Sequence, residues 1–359
     1  MQRAYNFSAG PSALPTEVLA EVQEELLDFK ANKTSVMEIS HRGDIFMELA
    51  AAAEKDLRDI LAIPSNYKVL FLQGGASSQF AMVPINLLRG RQAANYVNTG
   101  HWSKKAIAEA ERFCEVNIAS DSISNGYTDI ADFDKWIIDE NAAYLHYTPN
   151  ETLSGLEFDY IPEVEMPLAA DMSSTILSRP IDVAKFGVIY AGSQKNISPA
   201  GLTIVIVRDD LIGRPIKGQP TLFNYKIHAD NNSMYNTPPT FAWYVAGKVF
   251  KWIKKKGGLE SLAKANKAKA MKLYNVIDNS AFYHNNVNHK YRSWMNISFV
   301  LANESLNELF LQKSINRNLL YLKGHKAVGG MRASIYNAMD EKGIDALVDF
   351  MKDFEKENT

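Results

Sequence analysis

A single cysteine, Cys114, is all this chain carries. One thiol excludes an internal disulfide and a cysteine-built zinc site. The seven histidines are scattered and form no His-Glu-x-x-His pair, so no metal is expected. No run reaches the roughly 20 apolar residues that span a bilayer, and no membrane partner is expected. The stretch from Met1 to Gly10 lacks a basic region followed by an apolar one, so it does not read as a signal peptide. Neither sign of charge is in excess: 39 Lys and Arg stand against 41 Asp and Glu, for a net −2. That balance gives no global attraction to nucleic acid or to an acidic membrane. Any affinity for anions must come from a local site. A cytoplasmic location is the plain expectation.

What is present has globular proportions. Of 359 residues, 46% are hydrophobic and 22% charged, which suits a packed chain rather than a disordered one. The length suggests roughly two domains. Residues 1–15 contain Gly10, Pro11 and Pro15 and read as an irregular segment, expected to pack near the smaller domain. Helical spacing follows at 16–30 (Val18, Leu19, Val22, Leu26, Leu27) and at 44–62 (Phe46, Leu49, Ala53, Leu57, Ile60), the second stopped by Pro64. Short apolar runs then alternate with helical segments. The runs are 68–72, 93–97, 142–147, 167–170, 187–191 and 202–207. Continuous apolar strands of this kind suit a sheet covered by helices on both faces. Residues 16–260 therefore read as a large α/β domain with a mostly parallel sheet flanked by helices. Helices at 241–253, 259–277, 304–318 and 341–355, with strands at 295–301 and 331–335, follow. Residues 261–359 read as a smaller α+β domain.

The lysines 248, 251, 254, 255 and 256 crowd a helix end that stops at Gly257-Gly258. Cations are favourable at a helix C-terminus, and glycine is the usual stop. A nucleic-acid patch would look similar, but base-stacking aromatics are not interleaved as such surfaces favour.

Three stretches carry chemistry. In GVIYAGSQKNIS (187–198) an apolar strand runs into Gln194-Lys195-Asn196, which suits a cleft at the carboxyl edge of a sheet. Burial there would make Lys195 a usable nucleophile or base. Alone, it would read as a surface lysine. In MPLAADMSST (166–175) a strand ends on Asp171, and the intervening residues can form the crossover that sets Asp171 and Lys195 on nearby strand ends. An acid for a pyridine nitrogen and an amine for an aldehyde are what pyridoxal phosphate requires, although a buried ion pair would use the same two residues. In VLFLQGGASSQF (69–80) a strand runs through Gly74-Gly75-Ala76-Ser77-Ser78 into an apolar helix. This suits a phosphate, with Ser77 and Ser78 able to add hydroxyl donors, although many helices begin with Gly and Ser. Neither GxGxxG nor GxxxxGK[ST] is present, which disfavours dinucleotides and nucleoside triphosphates. Trp102 follows another strand and could stack on a flat ring. Thr152 could bond a ring substituent, and Asn236 and Thr237 could bind phosphate oxygens.

Five segments together, SVMEISHRGD, YTPNETLSG, SSTILSRPIDVAKFGVIYAGSQKNISPAGLTIVIVR, SMYNTPPTFAWY and KGHKAVGGMRASIYNAM, strongly resemble the phosphoserine aminotransferase family. These are class-V, fold-type-I enzymes that use pyridoxal 5′-phosphate. The resemblance runs from Phe7 to about Phe354. It implies a homodimer that transfers an amino group between L-glutamate and 3-phosphohydroxypyruvate, giving O-phospho-L-serine and 2-oxoglutarate. Serine biosynthesis, and pyridoxine biosynthesis as a further use, go with that activity. On matching positions it makes Lys195 the catalytic, cofactor-bearing lysine and Asp171 the partner of the pyridine nitrogen. Trp102 is the stacking residue, and Ala76, Ser77, Thr152 and Gln194 are further cofactor contacts. Asn236 and Thr237 would reach the neighbouring subunit's cofactor. Arg332 would grip the α-carboxylate, and His41, Arg42, His325 and Lys326 the distal phosphate or the γ-carboxylate. Many members have Gly-Arg in place of Ala76-Ser77 and Arg in place of Lys326. Another fold-type-I aminotransferase, such as a serine–glyoxylate aminotransferase, would use the same lysine. The distal cations favour a phosphorylated substrate.

Overall fold

The alternation of apolar runs with helical segments folds into layers around one sheet. The computed structural model describes residues 3–359; Met1 and Gln2, the start of the expected N-terminal segment, lie outside the described residues. Strand β1 (Tyr5–Asn6) leads into helix α1 (Thr16–Glu25). The spacing predicted this helix as far as Lys30, but it stops at Glu25. The chain leaves the helix to bury Phe29 edge-on against Tyr244, with ring centroids 5.6 Å apart. Leu27, expected on the apolar face, is left 84% exposed. Helix α2 (Asp44–Leu61) ends at Ala62 in the left-handed region, φ 49°, just before Pro64, which cannot supply a helical N–H.

Next come β2 (Tyr67–Leu72), α3 (Gly75–Leu87), β3 (Ala93–Asn98), α4 (His101–Ala110), β4 (Glu115–Asp121) and β5 (Leu145–Tyr147). A small hairpin, β6 (Asn150–Glu151) with β7 (Leu156–Glu157), precedes β8 (Leu168–Asp171), β9 (Val188–Gly192) and β10 (Thr203–Arg208). Seven of these strands form one sheet in the order β2-β10-β9-β8-β5-β3-β4. β10 runs antiparallel to both its neighbours, and every other pair is parallel. The mostly parallel sheet expected from the apolar runs is therefore present. All its strands but β4 are largely buried, as that pattern requires. Along β10, Ile204 and Ile206 join one hydrophobic cluster, and Val205 and Val207 join another on the opposite face. The sequence reading missed β4. It lies at the sheet edge, and only Ala119 in it is buried, so it shows no continuous apolar run.

Beyond the sheet lie α5 (Tyr225–Asp230), α6 (Thr240–Lys255) and α7 (Gly258–Asp278). Within the first cluster, Trp243 of α6 stacks on Phe71 of β2, ring centroids 4.1 Å apart, and meets Phe46 of α2 edge-on at 5.9 Å. The lysines at the end of α6 face acids from α1 and α2. Lys248 lies 2.9 Å from Glu25, Lys254 2.7 Å from Asp56, and Lys256 2.9 Å from Glu17.

Helix α7 begins in the first cluster with Leu259 and Leu262 and ends in a third with Leu273, Tyr274 and Ile277. That third cluster packs β11 (Tyr283–His284), β12 (Asn296–Leu301), α8 (Asn307–Asn316), β13 (Leu319–Leu320), β14 (Met331–Ser334) and α9 (Glu341–Asn358). β11, β12 and β14 form an antiparallel sheet, and β1 pairs in parallel with β13. Among the described residues, no helix is long and apolar enough to cross a membrane.

Replacing Trp243 by alanine removes the stacked ring from the first cluster. Large-to-small aromatic changes in a core cost about 3–5 kcal/mol. Urea unfolding of Trp243→Ala should show a loss of that size, and a loss below about 1 kcal/mol would contradict the packing described.

Candidate active site

Open α/β sheets bind their ligands beyond the carboxyl ends of the strands. At that edge β8 ends on Asp171, which is in register with Tyr190 of β9. β9 then ends at Gly192 and the chain turns sharply. The Ser193 N–H donates to the Leu202 carbonyl at 3.0 Å, and the Ile197 and Ser198 N–H groups donate to the Ser193 carbonyl at 3.1 and 2.9 Å. The turn brings Lys195 within reach of the Asp171 charge.

Both residues are buried, Lys195 at 8% exposure and Asp171 at 4%. Lys195 Nζ donates to Thr152 Oγ1 at 2.6 Å. Asp171 Oδ1 accepts from the Ser173 N–H at 3.0 Å and the Ser173 hydroxyl at 2.6 Å. Burial disfavours either charge. It pulls the Lys195 ammonium down to about 8, opposed by Asp171 and Glu151 and assisted by the cation of Arg332. Burial also pushes the Asp171 carboxyl up, against the Ser173 bonds and the Lys195 charge.

Arg332 on β14 supplies the second buried cation. Its Nε and Nη1 are buried with no acceptor among the described residues. Two such nitrogens are costly unless an anion meets them. Desolvation lowers the guanidinium pKa, and Tyr336 opposes that shift.

The glycine run is less of a loop than the sequence suggested. Helix α3 already starts at Gly75, and its first bond runs from the Ser78 N–H to the Gly74 carbonyl at 3.3 Å. The N–H groups of Gly75, Ala76 and Ser77 precede that bond and point out of the helix end. Gly74 sits at φ 93°, where a Cβ would collide with the Ser78 side chain. The Ser78 hydroxyl donates to the Gly74 carbonyl at 3.2 Å, so it is engaged in the turn; Ser77 is exposed. Gln73 Nε2 donates to the Thr237 carbonyl at 2.6 Å. Asn236 lines a cavity of about 250 Å³ with Gly74 and Ser78.

Trp102 is the second residue of α4 and is half-buried; its Nε1 has no partner among the described residues. Gln194 is tied to the N-terminal segment, its carbonyl accepting the Ser12 N–H at 2.9 Å, while the Ser12 hydroxyl donates to the Lys195 carbonyl at 2.6 Å. His325 is half-buried, and its ring lies 5.5 Å from that of His101. Lys326 is exposed. His41 is half-buried with Nε2 unpartnered among the described residues, and Arg42 is exposed. No recorded hydrogen bond or ion pair joins His41 or Arg42 to the Lys195 cluster within the described chain. A larger cavity, about 1000 Å³, lies at the opposite edge, near Leu88, Trp136, Met166 and Leu211. None of the expected site residues lines it.

Three contributors escaped the sequence reading. Glu151 accepts bonds from the first turn of α4, His101 faces His325, and Ser12 holds the Lys195 turn. Only Glu151 left a trace in the sequence, as the lone acid beside Thr152 in YTPNETLSG.

These residues fit pyridoxal phosphate. An amine near neutrality faces an acid whose recorded bonds fall on Oδ1, leaving Oδ2 for a ring nitrogen. Unbonded helix N–H groups suit a phosphate. A model of the family described as aminotransferase class-V matches residues 4–347. The chain belongs to the class-V aminotransferases. The phosphoserine aminotransferase of Ruthia magnifica subsp. Calyptogena magnifica is 63% identical over 359 residues, covering 100% of both chains. The solved phosphoserine aminotransferase of Bacillus circulans subsp. alkalophilus is 46% identical, covers 100% of both chains and superposes with a TM-score of 0.98. The pyridoxal-phosphate-bound phosphoserine aminotransferase of Trichomonas vaginalis is 43% identical, with a TM-score of 0.94 over 98% of this chain and 100% of that one. This class-V aminotransferase thus has the fold-type-I architecture expected from its sequence.

The lowered amine makes a direct prediction. A Lys195 pKa of about 8 means the neutral, reactive form dominates above that pH. In cofactor-free protein, reductive methylation followed by peptide mapping should half-label Lys195 near that pH. Exposed lysines should lag towards about 10.4. Labelling of Lys195 in step with exposed lysines would contradict the burial.

Proposed function

We propose that this aminotransferase moves an amino group between L-glutamate and 3-phosphohydroxypyruvate, giving O-phospho-L-serine and 2-oxoglutarate. The observation that carries this reading is the buried Lys195–Thr152–Asp171 cluster, with the acceptor-free nitrogens of Arg332 acting on the same amine. The name shared by the full-length relatives supports the phosphorylated substrate.

Lys195 would hold the cofactor aldehyde and Asp171 its ring nitrogen. The N–H groups of Ala76 and Ser77 would face its phosphate, Trp102 would cover its ring, and Thr152 and Gln194 would complete the cradle. Pyridoxal phosphate, when bound, supplies an electron sink that lets the Cα–H bond of an amino acid break to give a proton. Displaced from the aldehyde by the amino group of glutamate, Lys195 Nζ would be free to take that proton from Cα. In the second half-reaction it delivers one to Cα of the phosphorylated acceptor. Arg332 holds the α-carboxylate of either acid with its planar fork. His41, Arg42, His325 and Lys326 take the distal phosphate or the γ-carboxylate. Lys326 can do so only as a point charge, not as a fork. Because both acids need the same grip, the first product leaves before the second substrate enters.

A homodimer belongs to this proposal, with Asn236 and Thr237 reaching the neighbour's cofactor. Its support is that Thr237 and Ser77 are exposed, free to meet a second copy. The proposal extends to His41, whose Nε2 has no partner among the described residues, and to the exposed Arg42. The division into 1–15, 16–260 and 261–359 is also proposed, supported by the passage of α7 between clusters and by the pairing of β1 with β13. A cytoplasmic setting follows from substrates too charged to cross a bilayer. Serine biosynthesis is the route, and pyridoxine biosynthesis a second use of a phosphorylated acceptor.

In Lys195→Ala, glutamate-dependent turnover should fall at least about a hundredfold, and the absorbance of the Schiff base to Lys195 should vanish. Retention of either would defeat the assignment. Arg332→Gln should raise KM for both acids roughly tenfold or more. Rates with phosphorylated and unphosphorylated hydroxypyruvate should differ strongly. Equal rates would remove the phosphate from the reading while leaving the aminotransferase.

A further inference from the structure

Glu151 is completely buried, at 0% exposure. Its carboxylate accepts three hydrogen bonds, all from the first turn of α4. Oε2 accepts the Trp102 N–H at 3.0 Å, and Oε1 accepts the Ser103 N–H at 2.9 Å and the Ser103 hydroxyl at 2.8 Å. Among the described residues no lysine or arginine forms an ion pair with it. Burial raises the Glu151 pKa, the Ser103 and Trp102 bonds oppose that rise and Asp171 adds to it. A buried carboxylate without a cation at contact distance is costly, and a helix start does not require one. An N-cap serine or aspartate would serve locally. Here the N-cap is Gly100, which has no side chain, and a Cβ there would lie 2.7 Å from Glu151 Cδ. The chain has cleared the local position so that a distant carboxylate can take it.

The place of that carboxylate explains why. Its neighbour in sequence, Thr152, receives Lys195 Nζ at 2.6 Å. Its partner in space, Trp102, carries the indole assigned to cover the cofactor ring. The charged groups acting on Lys195 are Asp171 from β8, Arg332 from β14 and Glu151 from β6. Lys195 is therefore acted on by two carboxylates and one further cation.

Building on the aminotransferase reading, we propose that Glu151 is a positioning residue of the site, its carboxylate fixing Trp102 through the first turn of α4 and giving Lys195 a second negative charge beside Asp171. It touches neither substrate nor cofactor. It couples the height of the indole to the ionic balance of the amine.

Charge and position can be separated in the cofactor-loaded enzyme. Glu151→Gln keeps the shape, removes the charge and sets an amide against the Trp102 N–H. Ser103→Ala removes one donor to the carboxylate and keeps the charge. Glu151→Asp keeps the charge but shortens the reach. The readouts are the pH at which the visible band of the bound cofactor titrates and the circular dichroism of that band. The midpoint should fall by about one pH unit in Glu151→Gln, the size of one nearby charge. It should hold in Ser103→Ala and Glu151→Asp, while the dichroism weakens in all three. An unmoved midpoint in Glu151→Gln would reduce the residue to a helix cap and overturn the proposal. If Glu151→Gln does not fold, Glu151→Asp decides: a wild-type midpoint with weakened dichroism supports the proposal, and unchanged dichroism overturns it. Wild-type protein with no visible band at all would instead fail the aminotransferase reading, a distinct result.

Discussion

A buried amine held beside a buried acid is the constraint on which this molecule rests. Asp171 and Lys195 are taken out of water by the strand ends and turns around them, and each loses hydration that favours its charge. The parallel register of β8 and β9, with Asp171 level with Tyr190, places the acid. The turn after Gly192 places the amine. Neither is supported only by the other. Ser173 fixes one carboxylate oxygen, and the hydroxyl of Thr152 receives the amine. A lysine softened to about 8 in this way keeps a neutral fraction near physiological pH without being lost to the solvent.

Holding Arg332 at the right distance is a separate problem, because it comes from a different sheet and a different hydrophobic cluster. The solution is a run of buried amides across the boundary. Asn150 Nδ2 donates to Asn296 Oδ1 at 2.8 Å, and Asn296 Nδ2 to Ser334 Oγ at 2.9 Å. The Asn337 N–H donates to Asn196 Oδ1 at 3.0 Å, one residue from Lys195. The N-terminal segment joins from both sides, with β1 on β13 and Ser12 on the Lys195 turn. Hydrogen-bonded networks of this kind rigidify what they connect, although Asn150 Oδ1 has no partner among the described residues. The two cations are thereby kept in one cleft although their sheets share no strand.

The strands of the large sheet were legible because burial on both faces writes a continuous apolar run. β4 was not, because it buries only Ala119, whereas β2 at the opposite edge is buried at all but one position. The end of α1 was misjudged because spacing alone cannot tell that Phe29 has a pocket beside Tyr244 and Leu27 does not. Within the site, Lys195 and Asp171 could be picked out by their places after apolar runs. Ser78 could not be assigned correctly, since its hydroxyl turns back to Gly74 only once α3 has formed. Glu151 was invisible as a partner of Trp102 and Ser103 because the contact joins residues far apart in the chain.

By itself the sequence determined which strands would be covered on both faces, where they would end in an acid, an amine and a glycine turn, and which family such segments resemble. These are local matters, set by apolar runs, glycine geometry and the order of residues along the chain. Only the tertiary structure decided which charges share the cleft, which donors are already taken, and which buried nitrogens on Arg332 still lack an acceptor. Those outcomes depend on desolvation and on hydrogen bonds between distant residues, and neither exists until the sheet, the hairpin and the small antiparallel sheet have closed around the same space.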